Sequence, residues 1–313
     1  MSTPVKSPEI QKQFNKIKRR RRVRWAIGIA GFLVIMFFFR HALNMVGFTV
    51  GQLIEQWPHF EGALDQYFPR TLYFGFFPFL DFMAYWEFIT ERNLFFQAGI
   101  TVAIGFAGTI MGLPFALTLS VLGSGRVTPF PFNFLFRGVM SSIRAIPALV
   151  WALIFVPLGG IGPFTATLAV AVDSIGNLGR LFVDELEEIE DGPIEAIKTT
   201  GAGRVQVIGF GMLSQVLNPF IAWTLYIFEI NIRIAVGLGI IGAGGLGHVL
   251  MTQQRLFQYT NMMATVLVIL VLILTIEMFS QRLRAHLRAD EEPMSFLELL
   301  KGFPRRMAES MTK

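Results

Sequence analysis

Phe164-Thr165-Ala166-Thr167-Leu168-Ala169-Val170-Ala171-Val172-Asp173-Ser174-Ile175-Gly176-Asn177-Leu178-Gly179-Arg180-Leu181-Phe182-Val183 is followed at once by Asp184-Glu185-Leu186-Glu187-Glu188-Ile189-Glu190-Asp191. A bilayer-spanning helix needs about 20 mostly apolar residues. The first stretch therefore reads as a membrane span and the second as chain outside the lipid. The polar character persists from Asp184 to Ser214 and includes Glu195, Lys198 and Arg204. A span with so long a polar segment behind it points to a polytopic, all-α membrane helix bundle.

The whole chain agrees. Of its 313 residues, 53% are hydrophobic and 16% charged, with a mean hydropathy of +0.54. A soluble domain carries about 25% charged residues. There is no cysteine, which excludes disulfides, thiolate metal sites and cysteine nucleophiles. His41, His59, His248 and His286 are scattered, and none pairs with another at metal-ligand spacing. No metal site is expected. The net charge of +5 comes from cations that flank apolar runs, the mark of membrane topology rather than of nucleic-acid binding.

Six spans are expected. The first covers residues 25–46, behind a basic tail (residues 1–24) holding Lys16, Lys18, Arg19, Arg20, Arg21, Arg22 and Arg24. A signal peptide is the competing reading, but no small-residue cleavage site follows the apolar run. Residues 47–93 hold several carboxylates and only Arg70 and Arg92 as cations, which places them outside. Trp57, Phe60, Tyr67, Phe68, Tyr73 and Phe74 are expected along the interface or in a cap on the bundle. The core, residues 94–281, supplies the other spans, at about 95–122, 138–158, 164–183, 216–236 and 262–279. Gly108 and Gly112 form a small-xxx-small pair in the second span, and Gly159, Gly160, Gly162 and Pro163 a tight outer turn. Arg282, Arg284 and Arg288 open a C-terminal tail (residues 282–313) that, like the N-terminus, is placed in the cytoplasm.

Several charges fall inside these spans, where each costs at least about 2.5–3.5 kcal/mol unless partnered or hydrated. Arg144 is in the third span. Asp173, Asn177 and Arg180 share one face of the fourth, and Glu229 and Arg233 sit one turn apart in the fifth. Two readings stay open. These groups are interhelical glue, with Glu229 paired to Arg233 and Asp173 to Arg144 or Arg180, or they line a watery path.

Within the polar segment, Gly192-Pro193 opens a helix, Asp191 and Glu195 sit near its positive end, and Gly201 ends it. The result is a short exposed helix between two spans. Glu195-Ala196-Ile197-Lys198-Thr199-Thr200-Gly201 resembles the coupling motif Glu-Ala-Ala-x-x-x-Gly of ABC-importer permeases. Ile197 replaces the second alanine. Downstream, where the family has Ile-x-Leu-Pro, only Leu213 is kept, with Gly211 and Ser214 at the outer positions. The start of the fifth span is therefore expected to be less well defined than in the family. Arg144-Ala145-Ile146-Pro147, Tyr226 through Arg233, and Gly242 through Gly247 are similar to permease subunits of phosphonate importers.

The resemblance covers about residues 95–280. It implies a type I ABC importer permease that forms a homodimer in a bacterial inner membrane. It also implies two cytoplasmic ATPase subunits that use ATP and Mg, docked on a coupling helix at about residues 192–203 through Glu195, Ala196, Ile197 and Gly201. An external binding protein would deliver a phosphorus oxyanion. This chain would bind no cofactor and catalyse nothing. It has no Gly-x-x-x-x-Gly-Lys-Ser/Thr loop, so ATP chemistry belongs to a partner.

Gly237-x-Gly239-x-x-Gly242 and Gly242-x-Gly244-x-x-Gly247 fit a dinucleotide pattern, but an apolar span rather than a buried strand precedes them. Gly242, Gly244, Gly245 and Gly247 instead suggest non-helical backbone, serving as an outer gate or as close packing. An ion-gradient-driven secondary transporter is the main rival. It predicts inverted repeats, which the sequence does not display. A membrane enzyme lacks a catalytic constellation and a channel lacks a filter.

Overall fold

The computed structural model describes residues 8–73 and 77–287. The expectations for Phe74, Arg288 and the ends of both tails lie outside the described residues. The chain divides near Asp65 into two units.

In the first unit, α1 (Pro8–Met45) is one unbroken helix. The basic segment expected as a separate tail is helical from Pro8 onward, because nothing between Lys16 and Trp25 breaks a helix. The residues expected as an external loop are largely ordered as well. They form α2 (Val50–Tyr67), an antiparallel hairpin of β1 (Arg70–Tyr73) and β2 (Phe77–Leu80), and α3 (Phe82–Glu91). Arg70 faces Leu80 and Tyr73 faces Phe77 in the ladder. Asp81 caps α3, accepting from the backbone N–H of Met83 at 3.1 Å and of Ala84 at 3.2 Å.

The second unit begins at Gln66, within α2; the hairpin and α3 belong to it, and so does the core. Its helices are α4 (Leu94–Gly123), α5 (Phe132–Ala145), α6 (Ala148–Gly159), α7 (Pro163–Glu188), α8 (Asp191–Thr199), the one-turn α9 (Arg204–Gln206), α10 (Ser214–Leu238), α11 (Gly245–Arg255) and α12 (Tyr259–Leu287). Among the described residues five helices are long and apolar enough to cross a membrane, or six if α5 and α6 count as one bent span.

That bend corrects the expected straight third span. α5 and α6 meet at 89°. Pro147 has no N–H to continue the ladder and holds Ile146 extended, at φ −96° and ψ 120°. A second correction concerns the fourth span. α7 continues through acidic residues to Glu188, since glutamate is a good helix former once clear of the lipid. The stretch between the fifth and sixth expected spans holds the helix α11, and α12 runs on to Leu287.

α3 packs on α4 and α12 through Tyr85, Phe88, Leu94, Ala98 and Ala264, all buried. The Tyr85 hydroxyl donates to the Tyr67 carbonyl at 2.5 Å. Burial, with the Asp81 carboxylate adding to it, raises the Tyr85 phenol above its ordinary value.

The centre of the bundle is the parallel pair α4–α7. A Cβ placed on Gly108 would lie 2.5 Å from Val170 Cγ1, and one on Gly112 would lie 2.5 Å from the Ala171 carbonyl oxygen. α10 closes against both helices, with Phe182 and Phe220 stacked at 4.0 Å. Asn231, fully buried, donates to Thr109 Oγ1 at 2.8 Å and to Ser174 Oγ at 2.7 Å. One amide thereby joins α4, α7 and α10.

Gly112→Ala is expected to cost about 1–3 kcal/mol in detergent unfolding, because a backbone carbonyl cannot step aside. Gly99→Ala has nothing within 4 Å, and should be neutral or slightly stabilising. Indistinguishable unfolding curves for the two variants would refute the close contact.

Candidate functional site

α8 projects where α7 leaves the bundle, and a set of arginines fixes it there. Arg126 covers the carbonyl end of α7, donating to the Glu187 oxygen at 3.0 and 3.2 Å and to the Ile189 oxygen at 2.8 Å. A cation at a helix C-terminus satisfies orphan carbonyls and meets the negative end of the dipole. The same side chain pairs with Asp191, the first residue of α8, at 2.5 Å. Arg137 pairs with Glu187 and donates to the Gly123 carbonyl at 2.8 Å. Arg204 donates to the Val127 carbonyl. The loop before α5 and the start of α8 are thus tied to the end of α7, and the segment after α8 is tied to that loop.

The expected faces of α8 are present. Ile194 is buried and Ile197 half-buried, whereas Glu195, Ala196 and Lys198 are exposed. Gly201 follows the helix at φ +79°, the left-handed cap that glycine adopts without strain. Pro193 is the third residue of the helix rather than the first.

The departures from the Ile-x-Leu-Pro pattern acquire a physical account. Contrary to expectation, the approach to the fifth span is well ordered. α9, a π-helical turn (Val207–Leu213) and α10 run on continuously. Ser214 Oγ and Gln215 Nε2 donate to the Phe210 and Gly211 carbonyls, each at 2.5 Å, which stabilises the widened turn. Gly211 is buried under α8. A Cβ there would lie 3.3 Å from Ile197 Cδ1 and 3.6 Å from Ile194 Cα. The extra bulk of Ile197 is accommodated by the missing side chain of Gly211.

At the far end of the bundle lies the glycine crossing. Gly242, Gly244 and Gly245 have φ of +104°, +90° and +67°. A Cβ on Gly239 would lie 2.8 Å from Gly247 Cα, and one on Gly244 would lie 3.2 Å from Pro163, the first residue of α7. The Leu246 N–H donates to Thr101 Oγ1 at 3.0 Å. The geometry is one of close backbone packing, with the entry to α11 laid across the end of α10.

The intramembrane charges divide. Glu229 is buried and bonds Arg233 at 2.6 Å, as expected, but it also lies 3.5 Å from Arg284, and Arg233 lies 3.4 Å from Glu277. These four groups alternate in sign and stitch α10 to α12. Asp173 does not pair with Arg144 or Arg180. Its Oδ2 accepts from Asn177 at 2.8 Å, and Arg180 pairs one turn on with Asp184 at 2.9 Å. Arg144 is exposed in the last turn of α5, without an ion pair among the described residues. Its backbone abuts Gly176, while the bend at Ile146 ends the helix beside it.

The contacts of Arg126, Arg137, Glu187, Glu277 and Arg284 were not anticipated from the sequence. Their partners are 44 to 65 residues away, so no local pattern carries the signal. For the arginines, the expectation of Lys/Arg near span ends was the pointer.

Residues 108–290, more than half of the chain, match the profile of the binding-protein-dependent transport system inner membrane component family. The phosphate-import permease protein PhnE of Mycolicibacterium smegmatis is 36% identical over 196 residues, covering 62% of this chain and 37% of that protein. The phosphite transport system permease protein PtxC of Stutzerimonas stutzeri is 33% identical over 189 residues, covering 60% and 69%. The chain therefore spans little more than a third of the mycobacterial relative. The inward-facing MetNI methionine ABC transporter has a chain of like fold, with TM-score 0.56, 22% identity and coverage of 66% and 99%.

Two outcomes are expected. Gly211→Leu should overpack the seat of α8 by about 1–3 kcal/mol and raise amide hydrogen exchange in α8 about tenfold. Adding Ile197→Ala should restore slow exchange. A double-mutant cycle on Arg233→Ala and Glu277→Ala should give a coupling of about 0.6–1.7 kcal/mol in detergent unfolding. Strict additivity would mean that the pair does not hold α12.

Proposed function

We propose that this chain, which belongs to the family of binding-protein-dependent transport system inner membrane components, is the membrane-spanning subunit of an ATP-driven importer for a phosphonate, phosphite or related phosphorus oxyanion. The observation that carries the reading is the construction of α8. A helix of nine residues presents Glu195 and Ala196 outward while Arg126, bonded to Asp191 and to the Glu187 and Ile189 carbonyls, joins it to the end of α7. A loop that only connected two spans would not need such anchoring. A surface that must transmit force does.

On this reading α8 faces the cytoplasm and inserts into a cleft of a separate ATPase, one on each of two permease chains. The cation-rich ends of α1 and α12 are each expected on the cytoplasmic side. Hydrolysis of ATP with Mg in the ATPase moves α8, and α7 and α10 carry that motion into the bundle. A binding protein delivers the anion at the opposite face, where the glycine crossing forms the outer closure. Arg144, exposed and without an ion pair among the described residues, is the cation best placed to meet the anion in transit. Asp173, Asn177, Arg180 and the Glu229–Arg233 pair shape the polar interior around that path. The substrate class rests on relatives whose names specify phosphate or phosphite import.

Glu195→Lys and Gly201→Val are expected to reduce uptake of phosphite or an alkylphosphonate at least tenfold and to abolish co-purification with the ATPase. The permease should still reach the membrane at its normal level. Gly201→Val acts by forcing a β-branched residue to a left-handed φ. Uptake that survives ATP depletion and collapses with the proton gradient would overturn the assignment.

A further inference from the structure

Between the end of α7, the first half of α10 and the last third of α12 lies a cavity of about 340 Å³, large enough for a small ligand or a lipid headgroup. Its polar wall is unusual for a membrane bundle. Glu185 accepts from Trp223 Nε1 at 2.7 Å, and its second carboxylate oxygen has no partner among the described residues. Arg284 stands opposite, its guanidinium carbon 6.0 Å from the centre of the Tyr226 ring. Arg284 Nη1 is buried without a hydrogen-bond partner, and only the other terminal nitrogen approaches Glu229, at 3.5 Å. The Asn218 amide completes the rim.

The charges select the ligand. Glu185 and Arg284 both line the cavity, and Glu229 lies 3.5 Å from Arg284, so a simple anion held by Arg284 would meet carboxylates beside it. An ammonium group would be held by Glu185 and by the faces of Trp223 and Tyr226. The guanidinium of Arg284, which lines the cavity, suits a phosphorus oxygen. We propose that this cavity binds a zwitterion carrying an ammonium group and a phosphorus oxyanion two to three bonds of chain apart.

Two molecules share that chemistry, the ethanolamine headgroup of a phospholipid and a free aminoalkyl phosphonate or phosphate. The site lies where α7 emerges toward α8, at the depth where indole and phenol rings line a bilayer interface. Its existence is independent of the transport reading, since binding is measured directly and would persist in a chain that carried nothing.

The test uses the full chain in nanodiscs. Native mass spectrometry should find phosphatidylethanolamine retained over phosphatidylglycerol, with retention at least fivefold lower in Glu185→Gln and in Arg284→Gln. In phosphatidylglycerol nanodiscs, calorimetry with phosphoethanolamine tests the soluble source, and ethyl phosphate, which lacks the ammonium, should bind at least fivefold more weakly. Either arm, when sensitive to both variants, supports the site and identifies its source. Glu185→Gln keeps an acceptor for Trp223 and so preserves the fold, and it decides the matter if loss of Arg284 disturbs α12. Binding unaffected by Glu185→Gln, no selectivity for the ammonium in either arm, or no binding in both would overturn the proposal.

Discussion

Van der Waals contact between the α4 and α7 backbones is the constraint on which the rest of the bundle depends. In lipid no hydrophobic force drives helices together, so association relies on close fit and interhelical hydrogen bonds. Gly108 and Gly112 remove the side chains that would hold α7 away, and Gly176 and Gly179 do the same on the α7 side, toward α5. Only because these backbones are so near can Asn231 reach both Thr109 and Ser174. The bundle is therefore organised from a dry, small-residue seam outward, with polar groups at defined depths.

Those polar groups serve different ends. The Asn231 junction fixes three helices at the centre. The Glu229, Arg233, Glu277 and Arg284 set fixes a fourth from the side, and its alternating signs leave no charge of the set unopposed. Nearer the α8 end, Arg126 and Arg137 work on backbone carbonyls as much as on carboxylates. Charge in this protein is placed where helices must stay in register or where a helix ends.

The spans were legible because composition alone marks about 20 apolar residues in a row, and α8 because Gly192-Pro193, Glu195 and Gly201 carry local start and stop signals. The bend at Ile146-Pro147 was written in the sequence too, but the apolar run continued across it and masked the break. The order within residues 50–91 could not be seen from charge counting, since Tyr85 and Phe88 acquire their burial only from α4 and α12. The partners of Asp173 and Arg180 were misassigned for a related reason. On one helix face, i and i+4 neighbours such as Asn177 and Asp184 are always in reach, and they satisfied the charges before any distant helix could. The long-range arginine contacts had no sequence signature beyond the placing of cations near span ends.

The fit of Ile197 over Gly211 has a consequence for how such permeases diverge. A bulkier residue on α8 is tolerated only with an absent one beneath it, so neither change is neutral alone and the two positions must drift together. A chimaera that exchanged α8 between relatives would inherit a knob without its socket. The unit that can be transplanted extends through Ser214, and a lineage that acquired one half of the pair would be held there until the other half followed.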